Sequence, residues 1–251
     1  ALAEPGRAQR LADAGATNVL ISLHGHRAEL SDRLTGTPGG FEGTLRGIDR
    51  ALDAGLQLAL CHVICEGNHE HLVPYASFVT RRWRGHELDL VFTLAIPTFR
   101  VRDDPGLMPP LSEIGPELRA ALRRFLPART DLDPPRGIWA LFGPARRHRA
   151  RVIAHCGLPM CVLGERAAYH DEWHDTDAAA AQAEMVHPPV CAGCTLRPRC
   201  SGLWRIYVER FGDDGLAPVG AGEAVGDARD PCYRAPPRPP RPDRTAKCTS
   251  R

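Results

Sequence analysis

Apolar positions fall into two alternating patterns in the first hundred residues. Asn18-Val-Leu-Ile-Ser-Leu-His24 is a short apolar run of strand type, ended by Gly25. Phe41, Leu45, Ile48 and Leu52 recur at i, i+4, i+7 and i+11 and mark one face of a helix that closes at Gly55. Leu58–Ile64 is a second apolar run, Leu72, Tyr75, Val79 and Trp83 stripe a second helix, and Leu88–Ile96 is a third run. Ahead of them, residues 4–15 read as the end of a helix stopped by Gly15. Strands and helices alternating every 30–40 residues predict an α/β fold, with βαβ units in a parallel sheet or barrel. The runs are continuous rather than alternating, which predicts strands covered on both faces.

Further on the pattern thins. Pro97 to Pro110 reads as a loop, and Pro116 as the opening of an amphipathic helix that turns Leu118, Leu122, Phe125 and Leu126 inward. A Pro- and Asp-rich stretch over 127–137 marks a boundary, and Leu203–Phe211 predicts one more helix. From Arg234 the composition is that of a disordered, polyproline-prone tail, read as a solvated terminus. The organisation expected is a sheet-and-helix region over 1–126, a linker over 127–149, a cysteine-rich region over 150–220 and a tail over 221–251.

Composition is that of a soluble globular protein, and 251 residues suffice for a sizeable core. The formal charge of +2 divides into +5 within residues 234–251 and −3 in the remainder, which points to neither nucleic acid nor membrane as a partner. Nothing resembles a signal peptide, and no apolar run reaches the ~18 residues of a membrane span. Nine cysteines without a secretory signal predict a reducing cytoplasmic setting and metal chemistry rather than disulfides. The chain opens at Ala1 within what reads as a helix, and is expected to be a piece of a longer protein.

The densest chemistry lies at Cys191-Ala-Gly-Cys194-Thr-Leu-Arg-Pro-Arg-Cys200, a C-x2-C-x5-C run with Cys161 as its expected fourth member. One ion or cube must be reached by several short side chains at once, and this spacing crowds soft thiolates as that requires. Cys156 and Cys232 compete with Cys161 for the fourth position. Four thiolates suit either Zn²⁺ or an iron–sulfur cubane, so the residues alone leave both open.

The stretch SLHGHRAELSDRLTGTPGGFEGTLRGIDRALDAGLQLALCHVICEGN resembles the middle of a radical S-adenosylmethionine barrel. The matching positions are Ser22, Gly25, Glu29, Asp32, Gly36, Gly40, Phe41, Gly55 and Asn68, in order. Gly157-Leu-Pro-Met-Cys161, followed by the cysteine run and Gly202, is similar to the SPASM and half-size "twitch" auxiliary-cluster regions of that family. The resemblance implies the later strands of a partial (β/α) barrel followed by an auxiliary iron–sulfur region. It also implies two cofactors, S-adenosyl-L-methionine and a [4Fe–4S] cluster. The partners implied are a small-molecule or peptide substrate and an electron donor such as a flavodoxin or ferredoxin. Strand-end groups of such a barrel hold the cofactor, which makes Ser22, His24 and Asn68 the cofactor-binding candidates, with Cys65 to Asn68 and Thr98 to Arg100 at the neighbouring strand ends. Asn68 reads equally well as a helix-capping amide.

The sequence departs from the family in two places. The C-x3-C-x2-C that holds the family's own cluster is absent; it is expected upstream of Ala1, and the fragment alone is expected to be inactive. Cys61 and Cys65 read as small strand residues, because Asn68 stands where a third thiolate would. A full SPASM region also continues to a fourth cysteine, where this chain has Trp204. The alternative from another class is a zinc-stabilised, non-enzymatic binding module built on Cys161, Cys191, Cys194 and Cys200. Two further clusters carry less: His170 and His174 read as a solvated acidic loop, and Arg146, Arg147, Arg149 and Arg151 as a solvated helix face.

Overall fold

The three predicted strands form and lie side by side in parallel. In a computed structural model, which describes residues 2–97, 100–127, 148–153, 157–171 and 184–221, they are β1 (Asn18–Ser22), β2 (Gln57–Ile64) and β3 (Leu88–Leu94). The helix α1 (Arg7–Asp13) precedes them. Between β1 and β2 run α2 (Ala28–Thr35) and α3 (Gly40–Asp53), and α4 (Leu72–Arg82) joins β2 to β3. The predicted stripes are the buried faces: Phe41, Leu45 and Ile48 of α3, and Leu72, Tyr75 and Val79 of α4. Helix α2 was not legible as a separate element, and its role is local. The Asp32 carboxylate accepts the backbone N–H groups of Gly39 at 2.6 Å and Phe41 at 2.7 Å, so α2 caps the start of α3.

Beyond β3 the expectations need correction. After a short helix α5 (Arg100–Asp103), α6 runs Leu111–Leu122 and begins five residues before Pro116. Leu111, Ile114, Leu118 and Leu122 make its buried stripe, and Pro116 sits exposed in the second turn, where one backbone bond is forfeited. Two short strands follow, β4 (Leu126–Pro127) and β5 (Arg149–Val152), and β5 inserts between β3 and β4. The sheet order is therefore β1-β2-β3-β5-β4, parallel throughout. Arg149 and Arg151 stand on a strand, not on a helix face, and the sheet reaches past residue 126. Four residues reading Arg-Ala-Arg-Val are too few to show a period.

Among the described residues the helices cover one face of the sheet, where the expectation was two; among the strand residues of the other face Val91 alone is buried. Leu58, Leu60, His62 and Ile64 of β2 are buried, while Ala59, Cys61 and Val63 between them are half-buried. Leu88, Leu90, Phe92 and Leu94 continue the buried face across β3, and Ala150 and Val152 across β5. These residues pack with α3, α4 and α6 into one core. β1, β2 and β3 are laid down in order, and crossovers of the usual right hand place the helices between them on one side. The other face carries Leu20, 64% exposed, with Ser22, Cys61 and Arg151. Its residues are small or aliphatic enough in β2 and β3 to make the runs look continuous.

The cysteine-rich stretch joins the same core. It contains α7 (Met160–Leu163), the antiparallel pair β6 (Met185–Val186) and β7 (Leu203–Trp204), and α8 (Arg205–Phe211). Leu158, Val162, Leu203 and Tyr207 belong to the cluster that holds the sheet residues. The buried Tyr207 hydroxyl accepts the Leu111 N–H at 2.6 Å, and Ser112 Oγ donates to Asp214 at 2.6 Å, so α6 is tied to α8 and the turn after it. Among the described residues no helix is long and apolar enough to cross a membrane.

Candidate metal centre

The run from Pro188 to Cys200 is wound in three-residue turns. Cys191 N–H bonds Pro188 O at 2.9 Å, Cys194 bonds Cys191 at 3.1 Å, Arg197 bonds Cys194 at 3.2 Å and Cys200 bonds Arg197 at 3.3 Å. Two 3₁₀ turns, Pro189–Gly193 and Arg197–Arg199, are separated by the extended Cys194 (ψ 125°), and the run so folded brings all three cysteines to one cavity. Pro159, extended ahead of α7, delivers Cys161 to the same place. The four cysteines line one cavity with about 380 Å³ of space free of protein atoms, part of it open to solvent, walled by Pro159, Pro188, Leu196, Leu203, Leu216 and Pro218. Among the described residues no carboxylate lines it; His187 and Arg197 are its polar neighbours.

The thiols sit in one another's field. Burial raises the Cys161 pKa, a hydrogen bond from the Ala217 backbone opposes that, and Cys194 and Cys191 raise it further. Burial also raises Cys191, followed by Cys194, against the pull of Arg197. Successive deprotonation there needs a compensating cation, which is what a metal supplies. Backbone donors already face the sulfurs, since Val219 N–H reaches Cys194 Sγ at 3.4 Å. Hydrogen bonds to thiolate sulfur are among the levers that tune iron–sulfur and zinc sites.

Two glycines permit this wall. Gly202 has φ +86°, and a Cβ there would stand 2.5 Å from Val186 O. Gly157 has φ +83°, and a Cβ would stand 2.6 Å from Trp204 Cδ1, so the tryptophan at the missing cysteine position packs on the glycine. His187 bonds Cys200 O at 2.8 Å and steadies the third cysteine from the side. The six described cysteines are all free thiols. Among the described residues no three His, Cys, Asp or Glu side chains are drawn close enough to grip an ion, so the sulfurs line the cavity without closing on a point. The donor set nonetheless fits Zn²⁺ or an iron–sulfur cluster: four soft ligands on one wall, no competing carboxylate, and N–H groups aimed at sulfur. Cys156 and Cys232 lie outside the described residues.

The expected cofactor-binding residues take three different positions. Ser22 is exposed at the end of β1, on the uncovered face and opposite Cys61. His24 is half-buried, and its Nδ1 accepts the Val63 N–H at 3.2 Å; burial lowers its pKa. Asn68 is 1% exposed and fully committed. Its Oδ1 accepts Cys65 N–H at 2.9 Å, and its Nδ2 donates to His24 O at 3.1 Å and Val63 O at 2.9 Å. It makes no side-chain cap to the turn at His69–His71 either, so its work is to clasp the ends of β1 and β2. Thr98 lies outside the described residues, as does the Arg100 side chain.

Sequence reasoning missed a buried polar pair behind this clasp. His62 Nδ1 meets Leu23 O at 3.0 Å, burial pushes its pKa down to about 3, and its Nε2 has no protein partner. The Tyr75 ring lies 4.1 Å away, with its hydroxyl also unpartnered. The signal was present, since His62 falls in phase with Leu58, Leu60 and Ile64. His170 corrects another expectation: it is buried, bonding Leu158 O at 2.7 Å, rather than part of a solvated loop, and His174 lies outside the described residues. No family model matches this chain, and a search of curated proteins also finds no match.

Proposed function

We propose that this chain is the later part of a radical S-adenosylmethionine enzyme, contributing an arc of a partial (β/α) barrel and an auxiliary iron–sulfur site. One observation carries the reading: Cys161 and the separate run Cys191, Cys194 and Cys200 line a single cavity with no carboxylate among its described lining residues, Cys161 packing on the sheet core and Cys194 and Cys200 on a small cluster of Met160, Ala167 and Leu196 beside it. The sheet supports it. Parallel β1, β2 and β3 in sequential order, with the described helices on one side, are what an arc of a helix-wrapped barrel presents, its other face becoming the lumen; the insertion of β5 between β3 and β4 departs from that order.

When bound, a reduced [4Fe–4S] cluster supplies the electron that cleaves S-adenosylmethionine and starts radical chemistry on the substrate. The chain's own residues do the holding. The Asn68 clasp fixes the strand ends, the uncovered face orients a small-molecule or peptide substrate, and the four thiols hold the auxiliary site. The proline- and leucine-lined wall shields the side of the site that does not open to solvent. The electron comes from a one-electron donor such as a flavodoxin or ferredoxin.

Anaerobic reconstitution with iron and sulfide tests this. The chain should take up about four irons and about four sulfides and gain a broad visible absorbance. Cys194→Ala should abolish both, and Cys61→Ala and Cys65→Ala should leave both unchanged. Stoichiometric zinc that iron and sulfide do not displace would instead establish the zinc-stabilised binding module.

A further inference from the structure

Two imidazoles meet at the carboxyl ends of β1 and β2. His26 lies in the loop after β1, and His71 closes the short turn His69–His71 after β2. Their ring centres are 5.4 Å apart and their planes cross at 55°. The two loops that carry them are braced against each other and against α2. Asn68, at the start of the second loop, donates to His24 O in the first. Gly25 lets the chain turn closely onto α2, since a Cβ there would stand 3.0 Å from Ser31 N. Gly67 lies so near Leu34 of α2 that a Cβ would strike it. The spacing of the two rings is therefore set by three elements, although the residues are far apart in sequence.

That spacing is the one two ligands of a single ion would take. Imidazole nitrogens ~2.0 Å from a tetrahedral metal set their ring centres roughly 5 Å apart, because each centre lies about 1.1 Å behind its nitrogen. Both rings are half-buried, within reach of solvent, rather than packed in the core. His26 Nδ1 is shut off from solvent without a hydrogen-bond partner, and no hydrogen bond reaches the His71 ring among the described residues. Burial lowers the His26 pKa, and His71 and then Arg27 lower it further, so the ring is held in the neutral form that binds metal. Imidazole suits Zn²⁺, Cu²⁺ and Ni²⁺. Among the described residues no third His, Cys, Asp or Glu completes a group with them, so an ion held here keeps positions open for water or a further ligand. The place is also one that α/β sheets use, since their ligands bind beyond the carboxyl ends of parallel strands.

We propose that His26 and His71 form a two-histidine site for a divalent transition-metal ion, zinc in the first place, open on its outer side. The site draws on neither the cysteine cavity nor S-adenosylmethionine, so it stands or falls separately from the radical reading. Arg27, exposed beside His26, acts on the same ring and opposes a bound cation, which limits the affinity.

Zn²⁺ titrated into the whole chain, with the imidazole nitrogens followed by heteronuclear NMR, tests this. The His26 and His71 signals should shift together along one binding curve, while the exposed His86 stays in place. His187 lines the cysteine cavity, so its own shift reports zinc filling that cavity and keeps the two events apart. His26→Gln should weaken the His71 response by at least the ~10- to 100-fold that losing a mere supporting partner of a metal ligand costs, and His71→Gln should do the same at His26. Cys65→Ser should leave both responses unchanged. Arg27→Gln keeps both imidazoles and should tighten binding about two- to fivefold at low ionic strength, a gain that added salt removes. It carries the test should a histidine variant fold poorly. Rings unmoved at millimolar zinc, a His71 midpoint indifferent to His26→Gln, a response lost in Cys65→Ser, or an Arg27→Gln midpoint no tighter than the parent's would each overturn the proposal.

Discussion

Asn68→Ala isolates the clasp between the first two strands. The amide is almost wholly buried and makes three hydrogen bonds, one accepted from Cys65 N–H and two donated to His24 O and Val63 O. At ~1 kcal/mol net for each bond, the loss sums to roughly 3 kcal/mol, and the backbone groups left buried without partners add to it. The expected destabilisation is about 3–4 kcal/mol, a large share of the 5–15 kcal/mol on which a domain rests. Asn68→Asp separates geometry from volume. It keeps the acceptor for Cys65 but turns an anion toward two carbonyl oxygens, so at neutral pH it should cost more than alanine does. Urea unfolding of the whole chain measures both, through a fall in midpoint at constant slope. An Asn68→Ala loss below ~1 kcal/mol, or an aspartate better tolerated than alanine, would falsify the clasp.

The remaining predictions concern the core and the cavity wall. His62 has a folded pKa of about 3 against an unfolded value of 6.5, so the unfolded chain takes up a proton first as pH falls. Its contribution is complete above pH 6.5 and is lost progressively toward pH 3; His62→Asn should remove about one proton from the slope of stability against pH in that window, read by urea midpoints at several pH values. Gly202→Ala should cost about 2 kcal/mol or more, combining a positive φ with contact to Val186 O, and should lower metal uptake at Cys200. Equal stability and equal metal content in that variant would mean the wall relaxes freely.

What the sequence shows is the part ruled by local period. Phe41, Leu45 and Ile48, or Leu72, Tyr75 and Val79, repeat because one helical face must meet the sheet, and the structure buries those residues. The cysteines are legible for a different reason: three thiols crowded into ten residues suit a shared metal whatever the local period. Three things were hidden, each for its own cause. Strand β5 has four residues and two arginines, so its place in the sheet comes from pairing with β3 rather than from pattern. The second face was hidden because Ala59, Cys61 and Val63 are apolar yet only half-buried, so they extend the buried run without sharing its cover. Asn68 matched a family position but gave no hint that both its donors are used up on backbone 5 and 44 positions away.

The shared core bears on the choice between enzyme and zinc module. A zinc module in the usual sense folds around its ion and owes the rest of the chain little. Here Tyr207 is fully buried in the sheet's own cluster, its hydroxyl accepts the Leu111 N–H, and Arg119 Nη1 donates to Val162 O at 2.5 Å. Leu203, which lines the cysteine cavity, is buried in that cluster too. The cavity is thus a wall of the sheet region, and two of its donors, the Ala217 and Val219 N–H groups, come from the turn segment that follows α8. Any ion that binds the folded form alone must therefore stabilise the sheet along with the cysteines, by an amount that grows with the logarithm of its concentration over Kd. This shared packing is more than an autonomous module needs, and through Tyr207 and Leu203 it ties the position of the cysteine cavity to the sheet core.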